Sequence, residues 1–159
     1  MEQTRRRSRS ERAGAVADLT ARALRMLGRR EHTRVELCRK LAPHVDDPAR
    51  LEAVLDDLAR RGWLSDERFV EQFVHARRGR YGAARIRRAL LDRGVADEVI
   101  AGALRDLKAG ELDAARAVRG RKFTAPPKSS EERARQVRFL QSRGFAIDLA
   151  MRVIRGEPD

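Results

Sequence analysis

Apolar residues recur three and four positions apart along this chain, the spacing of one helix face, from Asp18 almost to the end. Leu19, Ala23, Leu24, Met26 and Leu27 make the first stripe. A second helix is predicted from Thr33, an N-cap with Glu36 in the capping-box position, and carries Val35, Leu37, Cys38 and Leu41. After a loop at 42–46, Asp47-Pro48 pairs an N-cap with a first-turn proline and opens a third helix. That helix presents Leu51, Val54, Leu55 and Leu58, and Gly62 is expected to end it in a left-handed conformation. Ser65 caps a fourth, with Asp66 and Glu67 suited to its dipole and Phe69, Val70, Phe73 and Val74 on one face. Gly79 and Gly82 bracket a short basic loop. A fifth helix with Ala83, Ile86 and Leu90 ends at Gly94, and a sixth with Val99, Ile100, Ala103, Leu104 and Leu107 ends at Gly110. Leu112, Ala115 and Val118 mark a seventh. Residues 124–130 read as a stiff polar linker with two prolines. Ser129, with Glu132 three positions on, caps an eighth helix bearing Val137 and Leu140 and ended by Gly144. Ile147, Leu149, Ala150, Val153 and Ile154 make a ninth.

The nine segments group in threes. A shift of 49 residues pairs Leu37 with Ile86, Leu41 with Leu90 and Leu55 with Leu104; a shift of 50 pairs Leu90 with Leu140 and Gly94 with Gly144. Any amphipathic helical chain repeats its apolar residues by chance. The match of Arg93-Gly94-Val95 with Arg143-Gly144-Phe145 is more specific. The expected fold is all-α: three tandem three-helix repeats at 18–62, 63–110 and 111–159, forming an elongated, curved array. Residues 1–17 carry no apolar periodicity and are expected to form a disordered basic tail.

Composition narrows the function. The 159 residues hold 36 Lys and Arg against 24 Asp and Glu, a formal charge of +12, and aromatics are only 4%. Of the basic residues 32 are arginine, which favours phosphate or carboxylate partners because guanidinium binds either bidentately. The excess is uneven: residues 18–74 are neutral, whereas 75–93 carry 7 basic side chains and 1 acidic. No apolar run is long enough to span a bilayer and no hydrophobic signal core opens the chain, so no membrane partner and a cytoplasmic location are expected. The single cysteine, Cys38, forms no internal disulfide and reads as a small core residue. His32, His44 and His75 pair with no nucleophile in sequence, Asp46-Asp47 and Asp56-Asp57 lack calcium-loop spacing, and no phosphate-loop pattern occurs. A non-enzyme without cofactor or metal is expected.

On a helical wheel with Ile86 at the core, Leu90, Ala83 and Ala89 share its side, Arg87 flanks it, and Arg85 and Arg88 fall opposite. Arg77, Arg78 and Arg80 precede this helix, with Tyr81 among them. The expected contacts for an acidic groove or a nucleic-acid backbone are therefore Arg77, Arg78, Arg80, Tyr81, Arg85 and Arg88. An arginine-biased composition would enrich any solvated face, but it does not explain so few acids in this stretch. Tyr81 could stack on a base or a partner, or pack over the helix start. Trp63, at a helix junction, is expected to anchor the core.

Four stretches resemble the regulatory protein RecX family. Ala23-Leu24-Arg25-Met26-Leu27 with Arg29-Arg30-Glu31-His32-Thr33 and Glu36-Leu37 is similar to the family's opening pattern. Leu58 through Gly62-Trp63-Leu64-Ser65-Asp66-Glu67-Arg68-Phe69 resembles a second. Gly82, Ile86, Leu90, Arg93, Gly94 and Val95 resemble a third. Lys122-Phe123, Val137-Arg138-Phe139-Leu140 and Arg143-Gly144-Phe145 resemble the fourth. The resemblance implies three tandem three-helix repeats. It also implies a protein that binds the RecA recombinase nucleoprotein filament and limits its growth, strand exchange, ATP hydrolysis and co-protease activity. His32-Thr33 stands where the family often has His-Ser, which keeps a hydroxyl cap. Ala125-Pro126-Pro127 interrupts the third unit, whose first two helices are expected to be less regular. A monomer is expected, with single- or double-stranded DNA as a further partner. The rival reading is a helical DNA-binding protein that acts without a recombinase.

Overall fold

The computed structural model describes residues 2–157, with side chains from residue 13 onward. Among the described residues it is all-α, with nine α-helices, one 3-10 turn and no strand. The first three-helix set is α1 (Glu2–Leu27), α2 (Arg34–Leu41) and α3 (Pro48–Arg60), with the 3-10 turn Ala42–His44 between the last two. The second is α4 (Asp66–Arg77), α5 (Ala83–Leu91) and α6 (Asp97–Ala109). The third is α7 (Glu111–Gly120), α8 (Ser130–Ser142) and α9 (Ile147–Arg155). The chain divides into two compact units. One takes in the chain through Phe69 together with Arg93–Val95, the other Val70–Asp92 and everything from Ala96 on.

Helix ends mostly follow their local signals. Thr33 is extended and its Oγ1 accepts from the Glu36 amide at 3.0 Å. The reciprocal half of that capping box does not form, because the Glu36 carboxylate turns to the Arg30 guanidinium (3.0 Å to Nη1). Hydrogen bonding to Arg30 holds the Glu36 carboxyl down to about 2. Asp47 Oδ1 accepts from the Ala49 amide at 3.0 Å, with Pro48 as first helical residue. Ser129 Oγ accepts from Glu132 N at 3.1 Å, and the Glu132 carboxylate accepts from Lys128 N at 2.7 Å. Gly62 is left-handed at φ 72°, whereas Gly110, at φ −106°, is not.

Two expectations are corrected. α1 starts at Glu2, through the segment 1–17 expected to be disordered. That segment has no proline and is rich in Arg, Glu and Ala, so helix propensity acts without an apolar face, and Val16 is left exposed. The role of the arginines from Arg5 to Arg12 lies outside the described side chains. The third set is also regular: α7 has 10 residues, α8 has 13, and Pro126-Pro127 stay in the connection. Arg119 and the buried Gln136, hydrogen-bonded to each other at 2.8 Å, both donate to the Ala125 carbonyl and pin that connection.

One joint occurs twice, once in each unit. In the first, Asp66 Oδ1 accepts from Arg34 N at 2.8 Å, and Thr33 Oγ1 donates to the Arg93 carbonyl at 2.9 Å. In the second, Glu111 Oε1 accepts from Ala83 N at 2.7 Å, and Gly82 N donates to the Arg143 carbonyl at 2.9 Å. Each time an acid early in a first helix satisfies the N1 amide of a second helix, one of the orphan donors of a helix start. Each time the glycine of an Arg-Gly turn lies against that second helix's first turn. A Cβ on Gly94 would come within 2.6 Å of the Val35 side chain, and one on Gly144 within 2.3 Å of Arg85 Cβ. Both glycines are left-handed, at φ 75° and 90°. The Arg-Gly-(Val or Phe) repeat is thus the acceptor half of the joint.

In the first unit Leu37, Leu41, Leu55 and Leu58 are fully buried among Leu19, Ala23, Leu51, Val54 and Leu64. Each such side chain contributes about 1.5–3 kcal/mol when taken from water. Trp63 is not part of this core: it is 44% exposed, with the Arg61 guanidinium 5.2 Å from its ring centroid. The left-handed Gly62 turn gives the core position to the neighbouring Leu64 instead. In the second unit Leu112, Ala115, Val118, Val137, Leu140, Phe145, Ala150 and Val153 form one cluster, and Val70, Phe73, Ile86, Leu90, Ile100 and Leu104 are buried too.

Candidate functional site

α5 carries the densest positive charge and folds as its wheel predicts. Ala83, Ile86 and Leu90 are buried, while Arg85, Arg87 and Arg88 are exposed. Gly82 offers no side-chain cap, so Glu111 reaches across to this helix start and one of the few local acids is spent on a backbone amide.

The six expected contact residues separate into three kinds. Arg77 folds back with its guanidinium 3.6 Å from the Phe73 ring centroid, and Arg88 pairs with Asp92 one turn on, at 3.1 Å. Arg78 and Arg80 are exposed, and among the described residues their side chains have no hydrogen bond or ion pair. Tyr81 and Arg85 stack on each other at 4.7 Å, and Arg85 Nη1 also donates to the Ser142 carbonyl at 2.7 Å. Tyr81 is half-buried, with the Arg85 cation on its ring and part of its surface open to solvent.

That stack continues into elements the charge arithmetic passed over. Arg143 lies 5.8 Å from Tyr81 and 5.3 Å from Phe139; Lys122 lies 4.5 Å from Phe139 and 5.9 Å from Phe123; Arg135 lies 5.7 Å from Phe123. Phe123 and Phe139 meet edge to face at 5.4 Å. The result is a ladder of alternating cations and rings: Arg85, Tyr81, Arg143, Phe139, Lys122, Phe123, Arg135. Cations held over aromatic faces keep their charge and lose mobility. Arg121 joins its edge by donating from Nη1 to the Gly79 carbonyl at 3.3 Å. The sequence signal for these additions is the Lys-Phe pair at 122–123 and the Phe-x-x-x-Arg spacing at 139–143, which puts ring and cation on one side of α8.

Such a surface can bind anionic groups through cations held between half-buried rings. Among the described residues, no group of three or more His, Cys, Asp or Glu is arranged to hold a metal ion. His32 is buried, His44 and His75 are exposed, and burial pushes the Cys38 thiol up. No helix of the described residues is long and apolar enough to cross a membrane.

Residues 65–104 match the family profile described as RecX, second three-helix domain, and residues 109–154 match RecX, third three-helix domain. The chain is 51% identical over 137 residues to the regulatory protein RecX of Leptothrix cholodnii, covering 86% of this chain and 87% of that one. It is 46% identical over 138 residues to that of Ralstonia nicotianae, covering 87% of each. The crystal structure of RecX from Lactobacillus salivarius superposes with a TM-score of 0.79 at 17% identity, over 91% of this chain and 97% of that one. A second crystal structure, of regulatory protein RecX, gives 0.78 at 21%, over 91% and 75%. At that identity the structures speak for the fold. The matched domains and the sequence relatives, spread over nearly the whole helical array, place this chain in the RecX family of regulatory proteins.

Proposed function

We propose that this chain binds the RecA recombinase in its nucleoprotein filament and restrains filament growth, and with it strand exchange, ATP hydrolysis and co-protease activity. Family membership, with 51% identity to a regulatory RecX protein over most of both chains, carries this reading. The ladder and its free neighbours supply a contact face. Arg78, Arg80, Tyr81 and Arg85 are its centre, with Arg77 and Arg88 flanking. An anionic filament surface, protein carboxylate or DNA phosphate, would find charge-assisted hydrogen bonds there.

The test is single-stranded-DNA-dependent ATP hydrolysis by RecA of the same organism, with DNA saturating and salt fixed, as the chain is titrated in. Inhibition far below one chain per recombinase is expected for end-capping or disassembly; inhibition only near one-to-one is expected for coating. The double variant Arg78→Glu/Arg80→Glu should inhibit at least about tenfold more weakly with an unchanged melting temperature, since neither side chain holds an internal partner. No inhibition by the parent chain would overturn the reading. The ladder also favours a second reading, direct nucleic-acid binding, because interleaved rings and cations are what single strands stack on. Steeply salt-dependent binding to naked DNA, without effect on the recombinase, would establish that one instead.

A further inference from the structure

Gln136 is a polar side chain in a core position. It is 3% exposed, beside Val137 and one turn before Leu140 on the buried side of α8. An apolar residue there would serve the packing, and a buried amide is costly unless its hydrogen bonds are made. Here they are made. Its Oε1 accepts from Arg119 Nε at 2.8 Å, and its Nε2 donates to the Ala125 carbonyl at 3.4 Å. Among the described residues no carboxylate pairs with Arg119. An amide orients a guanidinium without cancelling its charge.

Arg119 in turn grips one short segment at both ends. Its carbonyl, at the end of α7, accepts from Lys122 N at 3.0 Å and from Phe123 N at 2.8 Å. Its Nη2 donates to the Ala125 carbonyl at 2.9 Å. Pro126 and Pro127 follow, and their fixed φ stiffens the exit. The segment so held carries one end of the ladder. Phe123 meets Phe139 edge to face at 5.4 Å, with Lys122 and Arg135 at 5.9 and 5.7 Å from its ring. Ring contacts of this kind are individually weak at an exposed edge. Lys122 and Phe123 lie in a connection outside any helix, so their geometry depends on what holds that connection.

We propose that Gln136 is a positioning residue of the contact face: through Arg119 and the Ala125 carbonyl it holds the Lys122-Phe123 rung in place, and the face engages its partner fully only with that rung held. The proposal rests on the recombinase reading for its partner. Gln136 itself is buried and makes no contact with that partner.

The test variant is Gln136→Met, which is close in length, apolar and unable to orient Arg119. Two readouts are taken on the full chain. The first needs no recombinase: digestion by an endoprotease specific for lysine. The chain has only four lysines, and two of them, Lys122 and Lys128, flank the held segment. Cleavage after these two should be about fivefold faster than in the parent, the weight of one hydrogen bond in a local opening, with the melting temperature unchanged. The second readout is inhibition of single-stranded-DNA-dependent ATP hydrolysis by the recombinase, which should weaken by about the same factor. Lys122→Glu should then lose less in the Gln136→Met background than in the parent, because the rung is already displaced. Arg78→Glu, which shares no partner with Gln136, should lose as much in both. Should Gln136→Met melt early, Arg119→Leu, which frees the same carbonyl, replaces it. Unchanged cleavage, or inhibition as strong as the parent's, would overturn the proposal and leave the recombinase reading standing. Equal losses from Lys122→Glu in both backgrounds would overturn it too, since Gln136 would then act on stability alone. No inhibition by the parent chain would overturn the recombinase reading, and this proposal with it.

Discussion

His32 shows how one buried side chain ties stability to pH. It is 3% exposed, with Nδ1 3.0 Å from the Arg30 carbonyl and Nε2 3.2 Å from the Lys40 ammonium. The ammonium can only donate, so Nε2 accepts and the proton sits on Nδ1, facing Arg30 O. Burial lowers the His32 pKa, and the Arg30 and Lys40 charges lower it further against the opposing Arg30 carbonyl and Glu36. Below the ordinary value of 6.5 the unfolded chain takes up a proton that the folded chain refuses, so stability falls as pH drops through that value. Glu36 acts in a separate window. Its carboxyl is held to about 2 against an ordinary 4.5, so its contribution is kept above 4.5 and lost as the pH falls towards 2. In His32→Asn the side-chain amide can still donate to Arg30 O but does not titrate. Urea midpoints between about pH 7.5 and 5.5 should fall for the parent and stay flat for this variant; parallel slopes would sink the assignment. In the sequence His32 shows only that it pairs with no nucleophile. Its burial and its partner Lys40, eight residues on, depend on how the loop before α2 folds back, which no local pattern states.

At the scale of elements the doubled joint decides which glycines matter. Gly62 and Gly144 are both left-handed, yet a Cβ on Gly62 meets open space while one on Gly144 strikes Arg85. Gly62→Ala should cost only the conformational penalty, about 1–2 kcal/mol. Gly144→Ala adds overpacking and should cost about 2–5 kcal/mol. Gly82→Ala is the sharper case. Its φ of −77° suits any residue, but its Cβ would lie 2.3 Å from the Gly144 carbonyl oxygen. A large loss in urea unfolding at position 82 would show that close approach, not backbone freedom, selects this glycine. Thr33→Val removes both the helix cap and the hydrogen bond to Arg93 and should cost about 2 kcal/mol, with Thr33→Ser recovering most of it. Helix number, caps and the Arg-Gly repeat were legible because each is local. The joint was legible only as a repeated word. Gly82 reads as a loop residue because its neighbour in space, Gly144, is 62 positions away in sequence.

For the whole molecule, charge is the variable the sequence displays best, and it located half of the candidate face. The stretch 18–74 is neutral, and the surplus lies in 1–17, 75–93 and 111–159. The arithmetic marked Arg78, Arg80, Tyr81 and Arg85. It missed Lys122, Arg135 and Arg143, because charge counted along the chain does not show that α8 and the end of α7 bring their cations to the same rings. The ladder therefore makes a prediction that the linear count does not. Lys122 lies outside the dense segment, but it stands between Phe139 and Phe123. Lys122→Glu should weaken action on the recombinase filament several-fold and lower the salt dependence of binding by roughly one counterion. Arg39→Glu, the same charge change at an exposed site in the neutral stretch, should do neither. Titrating both variants at two salt concentrations separates the two accounts. Equal losses would mean that net charge alone draws the chain to its partner. A loss confined to Lys122 would mean that fixed cations between rings form the contact, with the remaining positive charge steering the approach.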